Sequence, residues 1–181
     1  MNTHIRHIVV SIAFALMASR AVAQHPQMPP GMTHEEHLAQ MQKDAELKKR
    51  GAAAMGFDQD AVSHHFRLSA NGGSIEVAVK DPRDAASLAA IRAHLKEIAG
   101  EFAAGRFDAP FATHADVPPG VAAMQARKSA IAYRYEEMTE GARVVIATTD
   151  AAALAAIHDF LRYQIREHKT GDPTTFNRGD R

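Results

Sequence analysis

The chain has 181 residues, with 21 Lys and Arg against 21 Asp and Glu, 11 His, no Cys and no Trp. A formal charge near zero argues against a nucleic-acid partner, which wants a basic face. Without cysteine there is no lipobox, disulfide, c-type haem attachment, thiolate zinc site or thiol nucleophile, and without tryptophan a sugar-stacking platform has little to build on.

The N-terminus reads as a secretory signal. Arg6 supplies positive charge, residues 8–17 form an apolar run, and Ala21-Val22-Ala23 fits the small-x-small rule for cleavage. The run falls short of the roughly 20 residues that span a bilayer. Residues 1–23 are therefore expected to be a cleavable leader, with no membrane insertion after its removal. The mature chain would begin at Gln24, be periplasmic or secreted, and carry a formal charge of about −2 once Arg6 and Arg20 are gone.

Residues 24–54 are expected to form a Met- and His-bearing tail followed by a helix. The stretch Gln24-His25-Pro26-Gln27-Met28-Pro29-Pro30-Gly31-Met32 cannot be helical. Thr33 with Glu36 forms a capping box and opens a helix to about Ala54. Its apolar stripe (Leu38, Met41, Ala45, Leu47) is thin, which predicts loose packing or a partner.

The domain proper is expected over 55–170, with a polar tail at 171–181. Residues 62–68 alternate as a strand, Asn71-Gly72-Gly73 signals a hairpin, and 75–79 return. Asp81 or Asp84 caps a helix over 85–104, whose Leu88, Ile91, Leu95, Ile98 and Phe102 share a face. Residues 105–120, with Pro110, Pro118 and Pro119, read as a loop, followed by a short helical turn at 121–126. A second strand pair is expected at 130–136 and 143–148, turning at Thr139-Glu140-Gly141, and a last helix from Asp150 to about His168.

The halves match in part. Asp84-Ala85-Ala86-Ser87-Leu88-Ala89-Ala90-Ile91 resembles Asp150-Ala151-Ala152-Ala153-Leu154-Ala155-Ala156-Ile157, and Phe66-Arg67 aligns with Tyr133-Arg134. This predicts an internal duplication, about 61–104 and 129–168. The expected fold is α+β: two ββα repeats forming a four-stranded antiparallel sheet with two helices on one face, preceded by an N-terminal helix.

Histidine and methionine carry the chemical signal. Nine His residues follow the leader: His25, His34, His37, His64, His65, His94, His114, His158 and His168. Near the mature N-terminus, Met28, Met32, His34, His37 and Met41 combine thioether with imidazole, a set that suits Cu(I). His34 and His37 share a helix face at i, i+3, which is not zincin spacing.

Strand alternation puts His64 on the core face with Val62, Phe66 and Leu68, in the slot that Ile131 fills in the second half, and turns His65 outward with Arg67. His94 lies beside the Ile91 face, and Phe160 is its repeat counterpart. His168 continues the Leu161 and Ile165 stripe to a helix C-terminus, where a cation would complement the dipole. His158, next to Asp159, is expected on the surface, and His114 in a Pro-bounded loop.

The sharp expectation is that His64, His94 and one of His114 or His168 converge on a metal ion or a haem iron. Three imidazoles suit copper or zinc. The plain alternative is that these histidines are unrelated core and surface residues.

No Gly-x-Ser-x-Gly elbow or phosphate-cradling loop is present, so catalysis has no motif behind it. Met55-Gly56-Phe57-Asp58-Gln59, His64-His65-Phe66, and the segment Ile157-His158-Asp159-Phe160-Leu161-Arg162-Tyr163-Gln164-Ile165 with His168 and Thr170-Gly171-Asp172 resemble a family of small exported bacterial proteins of unassigned function. The resemblance covers roughly residues 51–172, implies one periplasmic domain, and assigns no chemistry.

The function expected from the residues is a periplasmic metal-binding or metal-handling protein, non-catalytic, with copper preferred and zinc or haem behind it. The competing expectation is a ligand-free structural or interaction module of the cell envelope. Such a module would set His65, Arg67, Arg134 and Arg143 against an envelope protein or a second copy in a homodimer.

Overall fold

The computed structural model describes residues 30–176. The expected leader, together with His25, Met28 and residues 177–181, lies outside the described residues. The elements run α1 (His34–Met55), β1 (Val62–Ser69), β2 (Gly72–Val79), α2 (Ala85–Ala103), α3 (Asp108–His114), α4 (Val121–Ala126), β3 (Ile131–Met138), β4 (Gly141–Thr148) and α5 (Ala151–Glu167). Among the described residues no helix is long and apolar enough to cross a membrane.

The protein is α+β, a four-stranded antiparallel sheet in the order β1-β2-β4-β3. Ile75 and Val144, each fourth in its strand, pair directly at the centre. Phe66, Ile75, Val77, Val144 and Ile146 are buried and meet the apolar faces of α2 and α5. Asp84 and Asp150 start those helices, their side chains accepting from Ser87 N–H and Ala153 N–H.

Both hairpin turns are two residues long, because Ser69 pairs with Gly72 and Met138 with Gly141. The expected Asn71-Gly72-Gly73 turn is thus shifted, and both glycines belong to β2. Close approach explains Gly73: a Cβ there would meet Arg67 O at 2.2 Å and Leu161 Cδ1 at 2.4 Å.

His64 is third in β1 and Tyr133 third in β3. His94 and Phe160 are each tenth in their helices.

Residues 105–120 are not one loop. α3 forms within them, because Pro110 stands in the first helical turn, where the missing N–H has no intrahelical partner to lose. His114 is its last residue, and Ala115 ends it in the left-handed region at φ 56°.

α1 begins with the expected capping box. Thr33 Oγ1 accepts from Glu36 N–H at 3.2 Å, and Glu36 Oε2 accepts from Thr33 N–H at 2.8 Å. Only Leu47 and Gly51 are buried on this helix, which lies on α3 rather than on the sheet. Arg50 Nε donates to Thr113 O at 3.1 Å, tying the two helices together.

The sheet face away from the helices carries an ion-pair ladder. Glu76 stands between Arg67 (3.1 Å) and Arg143 (3.8 Å), and Glu136 pairs with both Arg143 and Arg134. The arginines expected at a partner surface are thus paired within the sheet with Glu76 and Glu136. His65 is engaged too: Asp172 reaches the β1 edge, accepting from Phe66 N–H at 2.9 Å and meeting His65 Nδ1 at 2.9 Å.

Candidate functional site

Four histidines from four elements line one cavity: His64 on β1, His94 on α2, His114 at the end of α3 and His168 just after α5. The floor is the sheet and helix core, with Phe66, Ile75, Val77, Ile98, Phe102 and Phe160. α1 and α3 close the top through Met55, Pro110 and Thr113. The cavity encloses about 60 Å³, and no carboxylate, lysine or arginine is among its lining residues.

The rings form a chain of contacts. His168 is central, its centroid 5.6 Å from His64 with planes 17° apart, and 5.1 Å from His114 with planes nearly perpendicular at 83°. Phe66 backs His168 at 5.4 Å. Phe57 stands between His64 (6.1 Å) and His94 (5.9 Å). Strand alternation, helix phase and a loop position brought forward His64, His94 and one of His114 or His168, and all four line this cavity.

Burial sets their protonation. It pushes His64 down to about 4, helped by His94, His65 and Lys80, which would repel a charge there. It pushes His168 down to about 3, helped by His64 and His114. His94 and His114 are lowered by the same cause, against the opposing pull of Glu97 on the first and of Gln164 and Glu167 on the second. At neutral pH the cluster is uncharged, so each ring carries one N–H and one lone pair. His168 thus does not serve as a cation on the helix dipole, as its position in sequence suggested.

Gln164, one turn before His168, is a site residue that the sequence reading passed over. Its Oε1 lies 2.9 Å from His114 Nε2. With Nε2 donating to that oxygen, His114 Nδ1 is left as the lone-pair nitrogen. Four buried side-chain polar atoms among the described residues have no hydrogen-bond partner: His64 Nε2, His114 Nδ1, Gln164 Nε2 and Tyr133 Oη. The first three belong to residues lining this cavity. A buried polar group without a partner costs about 1–3 kcal/mol, so three at one cavity call for a partner there, a water or a bound group.

The other expected ligands lie elsewhere. Met32 and His37 are half-buried, while His34 and Met41 are exposed, all at the start of α1 and none lining the cavity. His158 is buried, not exposed: its Nε2 sits 2.9 Å from Ser69 O and 3.1 Å from Gly72 O, latching α5 to the β1–β2 hairpin. Among the described residues no group of three His, Asp or Glu side chains is arranged to hold a metal ion.

Comparison with protein-family models, with curated proteins and with solved structures gives no match.

Proposed function

We propose that the protein binds a metal ion, copper preferred, in the imidazole-lined cavity, and that it is a non-catalytic metal-handling protein of the bacterial envelope. The observation that carries this reading is the gathering of unpartnered buried nitrogens, His64 Nε2 and His114 Nδ1, on one cavity beside His168. Neutral imidazole is the ligating form, so the depressed basicity removes proton competition near pH 7. Among imidazole-seeking divalent ions, copper stands above zinc in intrinsic affinity. Cavity size supports an ion with a water or two over a macrocycle: about 60 Å³ against roughly 300 Å³ or more for a pocket that holds a drug-sized molecule.

The same reading takes the two halves as diverged copies of one ββα unit, of which the first kept imidazoles where the second has Tyr133 and Phe160. It also assigns export to the leader, and ion capture to the Met- and His-bearing start of α1.

Thermal melting of the untagged mature protein tests the reading. An ion held only by the folded state stabilises by mass action, about 2.7 kcal/mol at roughly a hundred times its Kd. Copper should raise the melting temperature of the wild type and leave His168→Leu unmoved. A wild type whose melting is unaffected by copper and zinc sinks the proposal.

A further inference from the structure

We propose that Met55 supplies a thioether ligand to the ion held by this imidazole cluster, so that the site favours Cu(I) over Cu(II) and Zn(II). The inference rests on the metal reading above and adds to it a donor and an oxidation state.

Met55 ends α1 half-buried, and it lines the cavity with His64, His94, His114 and His168. Its placement is enforced locally. Gly51, one turn earlier, is buried, and a Cβ there would fall 1.7 Å from Gln59 Nε2 and 3.1 Å from Met55 Cε. The absence of that Cβ lets Gln59 lie against the helix and donate to Lys48 O at 3.4 Å. Gly56, at φ 77°, then turns the chain so that Phe57 enters the core beside His64 and His94. Met55 and Phe57 thus flank a left-handed hinge and both meet the histidine cluster.

Two observations select the ion. No three His, Asp or Glu side chains among the described residues are arranged to hold an ion, so the histidines need a further donor and do not by themselves supply a zinc tetrahedron, which takes four. A thioether added to imidazole suits Cu(I), for which sulfur is a preferred donor. The cavity also holds no carboxylate. A divalent ion would bring two uncompensated charges into an apolar interior, and a monovalent ion brings one, with a correspondingly smaller desolvation cost.

The test is a pair of affinities on the full mature chain: Cu(I) under anaerobic conditions and Zn(II), each against a competing chromophoric chelator. Wild type, Met55→Leu and Met138→Leu are compared. Leu replaces Met at nearly constant volume, so the fold is kept, and Met138 is a thioether at the end of β3, away from the cavity. Met55→Leu should weaken Cu(I) by at least about tenfold and change Zn(II) by less than about threefold, with Met138→Leu matching wild type at both ions. Equal effects of Met55→Leu on the two ions, or none on either, overturn the thioether assignment while the cavity remains a metal site. Failure of the wild type to bind either ion removes the metal reading itself, and the assignment with it.

Discussion

His64 and His168 hold their rings 5.6 Å apart with planes only 17° from parallel, one imidazole from an edge strand and the other from the chain just past the last helix. Both are buried, both are held uncharged, and no carboxylate lies among the residues around their cavity. Two neighbouring histidines in such a place are unfavourable to a fold at low pH and useful to it only if something binds them. The first two predictions separate these effects.

Acid should unfold the protein through this pair. An imidazole whose folded pKa lies below its unfolded value binds more protons when unfolded, so stability rises with pH across the window between the two. The contribution is intact above about 6.5 and is lost as pH falls toward about 4 for His64 and about 3 for His168. The lost stability is on the order of 3 kcal/mol for His64. Urea midpoints measured from pH 7 to pH 4 should fall steeply for wild type and less steeply for His64→Leu. Parallel curves would contradict the buried, neutral assignment.

His64→Leu should also make the metal-free protein more stable at pH 7. The substitution removes a buried ring nitrogen with no partner, so a gain of about 1–2 kcal/mol is expected. The same variant should lose copper-dependent stabilisation. A histidine kept only for packing would show the reverse, a loss of stability in the metal-free protein, read from denaturant melts with chelator present.

Gln164→Leu tests the support of His114. The amide oxygen lies 2.9 Å from His114 Nε2, and with that nitrogen donating to it, Nδ1 is left without a partner. Losing that acceptor strands the ring N–H and frees the ring to turn. Copper affinity should fall by about 10–100-fold, the usual cost of removing a group that orients a ligating histidine. The His114 ring proton resonances should shift in the metal-free protein. Unchanged affinity would take His114 out of the ligand set.

Asp172→Ala tests the protected edge of the sheet. β1 is an outer strand, and the Asp172 carboxylate closes its Phe66 N–H at 2.9 Å. Removing it should cost about 1–3 kcal/mol and speed hydrogen exchange at the Phe66 amide. It should leave copper binding within about threefold of wild type, since Asp172 does not line the cavity. Exchange at Phe66 no faster than in wild type would remove the capping role.

Much of this architecture is legible in the residues. Period-two alternation fixes the strands, helical spacing fixes α2 and α5, and Thr33 with Glu36 fixes the start of α1. What periodicity misses is set by contacts distant in sequence. Gly72 and Gly73 read as a turn, yet they are strand residues because α5 needs the space above Gly73. Pro110 reads as a helix breaker, yet it falls in the one turn of α3 that tolerates it. His158 reads as a surface neighbour of Asp159, yet two backbone carbonyls of the first hairpin draw it in.

The site divides along the same line. Alternation turns His64 inward, and helix phase sets His94 and His168 near core faces. That the three share a cavity with His114 and Met55 follows only from α1 and α3 closing over the sheet. Gln164 was recoverable, lying four residues before His168 on the same helix face.

The most direct test is equilibrium dialysis of untagged protein lacking residues 24–41 against buffered Cu(I), with copper counted by elemental analysis. Wild-type domain should retain stoichiometric copper, and the His64→Leu, His168→Leu double variant should retain none while staying folded. Copper absent from the wild-type domain, or retained equally by the double variant, would contradict a metal site in the imidazole cavity.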